Sequence, residues 1–314
     1  MARTILFLCL ISIAMPLAAR LEPANPYSTK GNFANPITPG TVFGLGQNIV
    51  NKHQFYTYIN TIGQKNSPSG DIIAFYPSFI YGITDACSLY VVIPTIPHIK
   101  IDDTTDRGLA NVSAQLEYAY YQTETEHALT QATVIGGMGF PTSTFNNIQN
   151  FSLKRTIGVS NSVTFFVGGT ASYLTAESYI YASLGDSFHA ITNQTITTTT
   201  HAEMISTCSS QTAHIKNGNT VFYQCGIGHN LGNPWGTTLL GTLEMNGIYS
   251  KKSTLKGVPQ ENSGGNLILL GPGLSLSSGR WLFQGGIQLP VLQKLNGTQI
   301  KTRYQGAFFI TVVF

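Results

Sequence analysis

The sequence predicts an all-β chain, a transmembrane antiparallel up-and-down β-barrel of about 12 strands, and three observations carry that reading. Charge is scarce: Asp, Glu, Lys and Arg make up 10% of 314 residues, against roughly a quarter in an average soluble domain. Hydrophobic residues stand at an ordinary 42%, so the missing charge is replaced by Ser, Thr, Asn, Gln and 32 Gly rather than by a larger apolar core. A barrel in lipid needs this balance, an uncharged outer band and a polar lumen. Period-two alternation then recurs along the chain, and its last segment alternates up to Phe314.

Taken in order, Arg3, the apolar run from Ile5 to Ala14 and the small residues to Ala19 read as a secretory signal peptide over 1–19, cleaved after Ala19. Residues 20–40 hold Pro23, Pro26, Pro36 and Pro39 without any period and read as an N-terminal arm or lumen segment, with the barrel over 41–314. After the signal no apolar run of about 18 residues follows, so membrane crossing falls to strands. A net charge of +3 with scattered basic residues gives no nucleic-acid footprint.

The expected strands are 41–50, 53–62, 71–82, 86–95, 109–122, 128–140, 162–175, 177–188, 219–230, 237–250, 265–277, 279–290 and 303–314. The first two merge as one bent strand to give an even number. In the fifth, Val112, Ala114, Leu116, Tyr118 and Tyr120 alternate with Ser113, Gln115, Glu117 and Ala119, one greasy face and one mostly polar. Leu239 to Tyr249 and Trp281 to Leu289 repeat the pattern, each with an aromatic residue at one end, as an interfacial girdle requires. The final Tyr304, Gly306, Phe308, Ile310 and Val312 would form a sticky edge in a soluble protein, and closure removes it. The polar stretch 190–218 is long enough for an external loop.

If the apolar faces meet lipid, the opposite faces line the lumen. That places Gln115, Glu117, Thr242, Glu244, Asn246, Gln284, Gln288, Arg303 and Gln305 inside, together with Thr170 and Ser172. Glu117, Glu244 and Arg303 are the charges that need partners there, as a structural ion pair or as a polar constriction. An oxidising periplasm permits a disulfide, for which Cys208 and Cys225, separated by a polar stretch, are the expected pair, leaving Cys87 odd. His127, His189, His201 and His214 share no metal-ligand spacing, and no metal or cofactor is expected. His229 near a strand end reads as a rim residue, because no serine partner for hydrolysis is identifiable in sequence.

Ser263-Gly264-Gly265-Asn266, Gly271-Pro272-Gly273, Gly285-Gly286-Ile287-Gln288-Leu289-Pro290-Val291 with Gln293, Phe165-Phe166-Val167-Gly168-Gly169 and Phe314 resemble a family of outer-membrane transporters labelled as phenol-degradation meta-pathway proteins. The resemblance covers most of the chain from about Thr41 and its motifs concern strand packing. It implies passage of small apolar or aromatic molecules and brings no catalytic motif. A terminal Phe such as Phe314 is, in bacterial barrels it resembles, the signal read by the barrel-assembly machinery. The expected function is therefore a passive channel for small hydrophobic or aromatic solutes, non-enzymatic, set in outer-membrane lipid. The alternative is a closed structural or adhesive surface barrel.

Overall fold

A strand in hydrocarbon cannot leave an N–H or C=O unpaired, and this chain meets that demand by closing its sheet. The computed structural model describes residues 49–67, 70–101, 104–125, 128–145, 162–175, 177–190, 192–202 and 205–313. The expected signal peptide over 1–19, the arm over 20–40 and Phe314 lie outside the described residues. The strands are β1 (Phe55–Ser67), β2 (Gly70–Thr84), β3 (Cys87–Val92), β4 (Thr95–Ile101), β5 (Thr104–Leu109), β6 (Ser113–Glu124), β7 (Ala128–Gly139), β8 (Thr164–Thr175) and β9 (Ser178–His189). They continue with β10 (Thr192–Ala202), β11 (Ile205–Lys216), β12 (Thr220–Gly232), β13 (Thr238–Ser250), β14 (Thr254–Leu255), β15 (Val258–Pro259), β16 (Gly265–Ser278), β17 (Trp281–Leu295) and β18 (Lys301–Val313).

All pairings are antiparallel, and β1 pairs with both β2 and β18, which closes the wall. β3 and β4 lie end to end along β2, and β5 and β6 continue the next crossing, so the closed wall has 12 strand positions. The break between β3 and β4 falls at Ile93 and Pro94, where proline has no N–H to give the ladder. Pro94 and Pro97 also hid β4 and β5 from the alternation in sequence.

The first expected strand differs. Ile49 and Val50 are buried but not in a strand, residues 41–48 lie outside the described residues, and a tight turn from Asn51 to Gln54 leads into β1. His53 takes a left-handed φ of 65° in that turn. The stretch expected as an external loop instead pairs as a ribbon, β10 on β11, from Thr192 opposite Ile215 to Ala202 opposite Ile205. It forms a small separate sheet with β14 and β15.

Short turns such as Asp85–Ala86, Ser278–Gly279–Arg280–Trp281 and the 3-10 turn Pro234–Gly236 gather at one end; residues 140–145, the ribbon and 251–264 gather at the other. The outer face carries Leu116, Val134, Val167, Leu184, Ile227, Leu243, Leu274, Ile287 and Phe308, all exposed. In water such a belt would drive aggregation; in hydrocarbon it is the required surface. At the short-turn end Trp281 stacks on Phe283 at 6.1 Å and Phe55 on Phe79 at 6.0 Å, an aromatic band at the edge of the apolar belt.

Candidate functional site

Alternation turns every second side chain of these strands into the lumen, and at mid-height that inner set is polar and sealed. Glu117 of β6 is 0% exposed and Glu244 of β13 is 1% exposed. Thr133 on β7 donates its hydroxyl to Glu117 Oε1 at 2.9 Å. Its only proton is then committed, so Thr170 on β8, with its oxygen 2.7 Å away, is the donor to Thr133. The carboxylate is thus held by a relay of hydroxyls on adjacent strands. On the Glu244 side, Asn246 donates to Gln288 Oε1 at 3.1 Å, and Gln288 donates to the Glu244 carbonyl at 3.3 Å. Gln284 donates to Ser275 Oγ at 3.0 Å across β17 and β16. Inward-facing Gly226 is needed here, because a Cβ would run into the Tyr181 ring and the Glu244 side chain.

Apolar clusters flank the polar band. Toward the long-loop end, Ile72 and Ala74 of β2 pack with Ile96, Ile99, Ala110 and Phe145, and half-buried Tyr76 joins them. Phe145 arrives there because residues 140–145 fold back along β5. Thr144 N donates to the Leu109 carbonyl at 3.1 Å, and Leu109 N donates to Thr144 Oγ1 at 2.9 Å. Toward the short-turn end, Val50, Tyr56 and Ile80 form a second cluster with Tyr58 and Tyr90 against it. Val50 N donates to Ser88 Oγ at 2.9 Å, which pins residues ahead of β1 inside the mouth. Gly82 permits this, since a Cβ at that position would collide with the Asn51 carbonyl.

The residues singled out in sequence can now be placed. Gln115, Glu117, Thr242, Glu244, Asn246, Gln284 and Gln288 are buried, as are Thr170 and Ser172, and Gln305 is half-buried opposite Gln64. Arg303 is a correction: it is exposed. The ladder between β1 and β18 slips a register between Lys65 and Asn66, so that Thr302 rather than Arg303 shares the inner face with Asn66. An inserted residue reverses which face its neighbours occupy. Arg303 is therefore not set in the lumen as a counter-ion to the carboxylates. The alternation also passed over Gln131 and Thr133 on β7, and over Tyr58, Ser88, Tyr90, Tyr179 and Tyr181, because in β1, β3 and β9 aromatic residues sit on the inner face and blur the polar signal.

Cys225 is an exposed free thiol on β12 and Cys87 a half-buried one on β3; the side chain of Cys208 lies outside the described residues. His189 pairs with Thr164 Oγ1 at 3.1 Å, and the side chains of His127, His201 and His214 lie outside the described residues. His229 has a serine after all: its Nδ1 lies 2.8 Å from Ser178 Oγ on the neighbouring strand, on the outer wall.

By sequence, neither a family model nor a curated relative matches the chain. Among solved structures the fold is similar to an outer-membrane channel from Pseudomonas putida F1, with a TM-score of 0.61 and 11% identity over 84% of this chain and 97% of that one. The monoaromatic hydrocarbon channel CymD has a TM-score of 0.47 at 10% identity, over 84% of this chain and 89% of its own. The toluene transporter TbuX of Ralstonia pickettii has 0.45 at 10% identity, over 85% and 91%. The class is thereby defined: this is an all-β, closed 12-stranded antiparallel barrel, a fold it shares with the Pseudomonas putida F1 outer-membrane channel.

Proposed function

We propose that the protein is a passive channel of the bacterial outer membrane for small, mostly apolar solutes carrying one polar handle, such as phenolic or other monoaromatic compounds. The observation that supports it most is the order of surfaces along the lumen: an apolar cluster at each end and, between them, a hydroxyl- and amide-lined band in which Glu117 and Glu244 are sealed from solvent. Within that band Gln115 Nε2, Thr242 Oγ1 and Asn246 Oδ1 are buried with no hydrogen-bond partner among the described residues. Such atoms call for water or for the hydroxyl of a guest. A dissolved aromatic alcohol matches both kinds of surface. The resemblance to phenol-degradation meta-pathway transporters points the same way, as do the solutes named for the two hydrocarbon channels. In this placement the short turns face the periplasm, the outer belt meets lipid, and Phe314 is read by the barrel-assembly machinery after removal of the signal peptide.

The second reading is a closed barrel acting through its surface. The sealed side chains at mid-lumen and the β10–β11 ribbon beyond the wall favour it. One experiment separates the two. The refolded protein is placed in vesicles with a lipopolysaccharide outer leaflet, and uptake of radiolabelled phenol and of charged benzoate is timed. Channel function gives phenol uptake several-fold faster than in protein-free vesicles, with benzoate slower than phenol. Uptake equal to protein-free vesicles, from a chain that shows heat-modifiable migration, rejects transport and leaves the closed barrel.

A further inference from the structure

The outer wall should be uniformly studded with bulky apolar side chains, and over five neighbouring strands it is not. One row of outward positions runs by direct pairing from Ser178 on β9 to His229 on β12, Gly241 on β13, Leu274 on β16 and Gly285 on β17. Two of the five are glycine, so the row is low in the wall on either side of Leu274, with Leu231 leaning to within 3.1 Å of where a Gly241 side chain would begin. The row above it is full: Ile180 pairs with Ile227, Ile227 with Leu243, and Ile287 stands beyond Pro272. The result is a trough of about 1000 Å³, lined by these residues with Leu231 and Tyr173. Its surface is apolar save at one end, where Ser178 Oγ and His229 Nδ1 make their 2.8 Å hydrogen bond.

The trough also has a direction. Ser178 is the first residue of β9, at the short-turn edge, whereas Gly285 lies four residues inside β17, which starts at Trp281. At about 3.3 Å per residue on strands tilted by roughly 40°, the apolar end lies about 10 Å deeper in the hydrocarbon than the polar end. Four strand spacings of about 4.8 Å make it about 19 Å long, the reach of a long acyl chain. Polar at the interface and apolar inward is how a membrane lipid itself is oriented.

We infer that this trough is a binding site for one acyl chain of a phospholipid of the periplasmic leaflet, with the Ser178–His229 pair hydrogen-bonded to the ester group of that chain. The inference rests on the outer-membrane placement proposed above and not on transport. A shallow furrow open to bulk lipid would exchange its contents freely, but the polar pair holds one end of the chain and the glycine gap removes the side chains that would crowd it. Among the described residues no carboxylate or amide bonds the other nitrogen of His229, so the pair serves as a polar anchor and not as a nucleophile with an oriented base.

The test uses the full-length mature protein refolded into phosphatidylethanolamine vesicles containing a trace of phosphatidylcholine with a diazirine at the end of one acyl chain. Heat-modifiable migration and protease protection first establish insertion; failure there rejects the membrane placement itself. After photolysis, adducts are mapped by mass spectrometry. The site predicts adducts at Leu243, Leu274 and Ile287 several-fold above those at Ile59 and Val134, which are similarly exposed on other parts of the wall. Gly241→Leu with Gly285→Leu fills the trough from the outside and should bring that enrichment down to the level of the rest. Ser178→Ala with His229→Ala should lower it at least twofold without loss of insertion. Even labelling around an inserted barrel, enrichment untouched by the filling substitutions, or enrichment seen only with a diazirine fatty acid each overturns the assignment.

Discussion

Thr133 decides how Glu117 is tolerated inside the barrel. A carboxylate sealed from solvent is costly unless donors reach it, and the hydroxyl of Thr133, itself served by Thr170, is one that does. Thr133→Val keeps the shape and removes that donor, and it also strands the Thr170 hydroxyl. The expected loss is about 1–3 kcal/mol, read as a lower urea midpoint for unfolding from lipid vesicles. Glu117→Gln in the Thr133→Val background should recover part of it, because a neutral amide demands less of its neighbours; equal midpoints for wild type and Thr133→Val would show that the relay contributes nothing. The two carboxylates, their face and their burial follow from alternation alone. Arg303 does not, because one slip in the β1–β18 ladder moved it to the other side. A bulge is a pairing event between segments more than 200 residues apart and leaves no mark in the local pattern of either.

The ribbon β10–β11 separates into its own sheet, and among the described residues its pairings are to itself and to β14. The strands that flank it in sequence, β9 and β12, pair directly with each other over ten positions from Ser187 opposite Thr220 to Ser178 opposite His229. The wall is therefore continuous without the ribbon. Replacing residues 192–216 by a short Gly-Asn turn should leave heat-modifiable migration and urea resistance at wild-type values. Loss of the folded band would mean that the ribbon helps assemble the barrel. The ribbon reads in sequence as a polar loop because its Thr run has no apolar face; it forms strands by pairing with itself, since neither side needs a core. β4 and β5 were hidden for the opposite reason, a pattern cut by Pro94 and Pro97, with β4 held by pairing on β2 and β5 by pairing on β4.

At the scale of the whole molecule, closure and environment act together. Leu243 stands near the middle of β13, exposed on the outer belt, while its neighbours Thr242 and Glu244 are buried inside. Leu243→Arg should cost about 2–4 kcal/mol in lipid vesicles, as charge near the bilayer midplane does. Leu243→Arg should have little effect if the apolar belt faces water instead. Urea titration in vesicles reads the difference, and a cost near zero would count against the bilayer placement.

What the sequence by itself determined is the fold class, the count of about 12 wall strands, the two faces of most of them, and the polar character of the lumen. These follow from period-two alternation and from the scarcity of charge, both of which are local and survive without knowledge of partners. The tertiary structure alone decided the completion of two crossings by β4 and β5, the exclusion of Arg303, the insertion of residues 49–51 into the mouth and the meeting of Ser178 with His229. Each of these depends on the register between segments distant along the chain. Closure sets that register, because only a sheet whose last strand meets its first can satisfy every backbone group in a membrane.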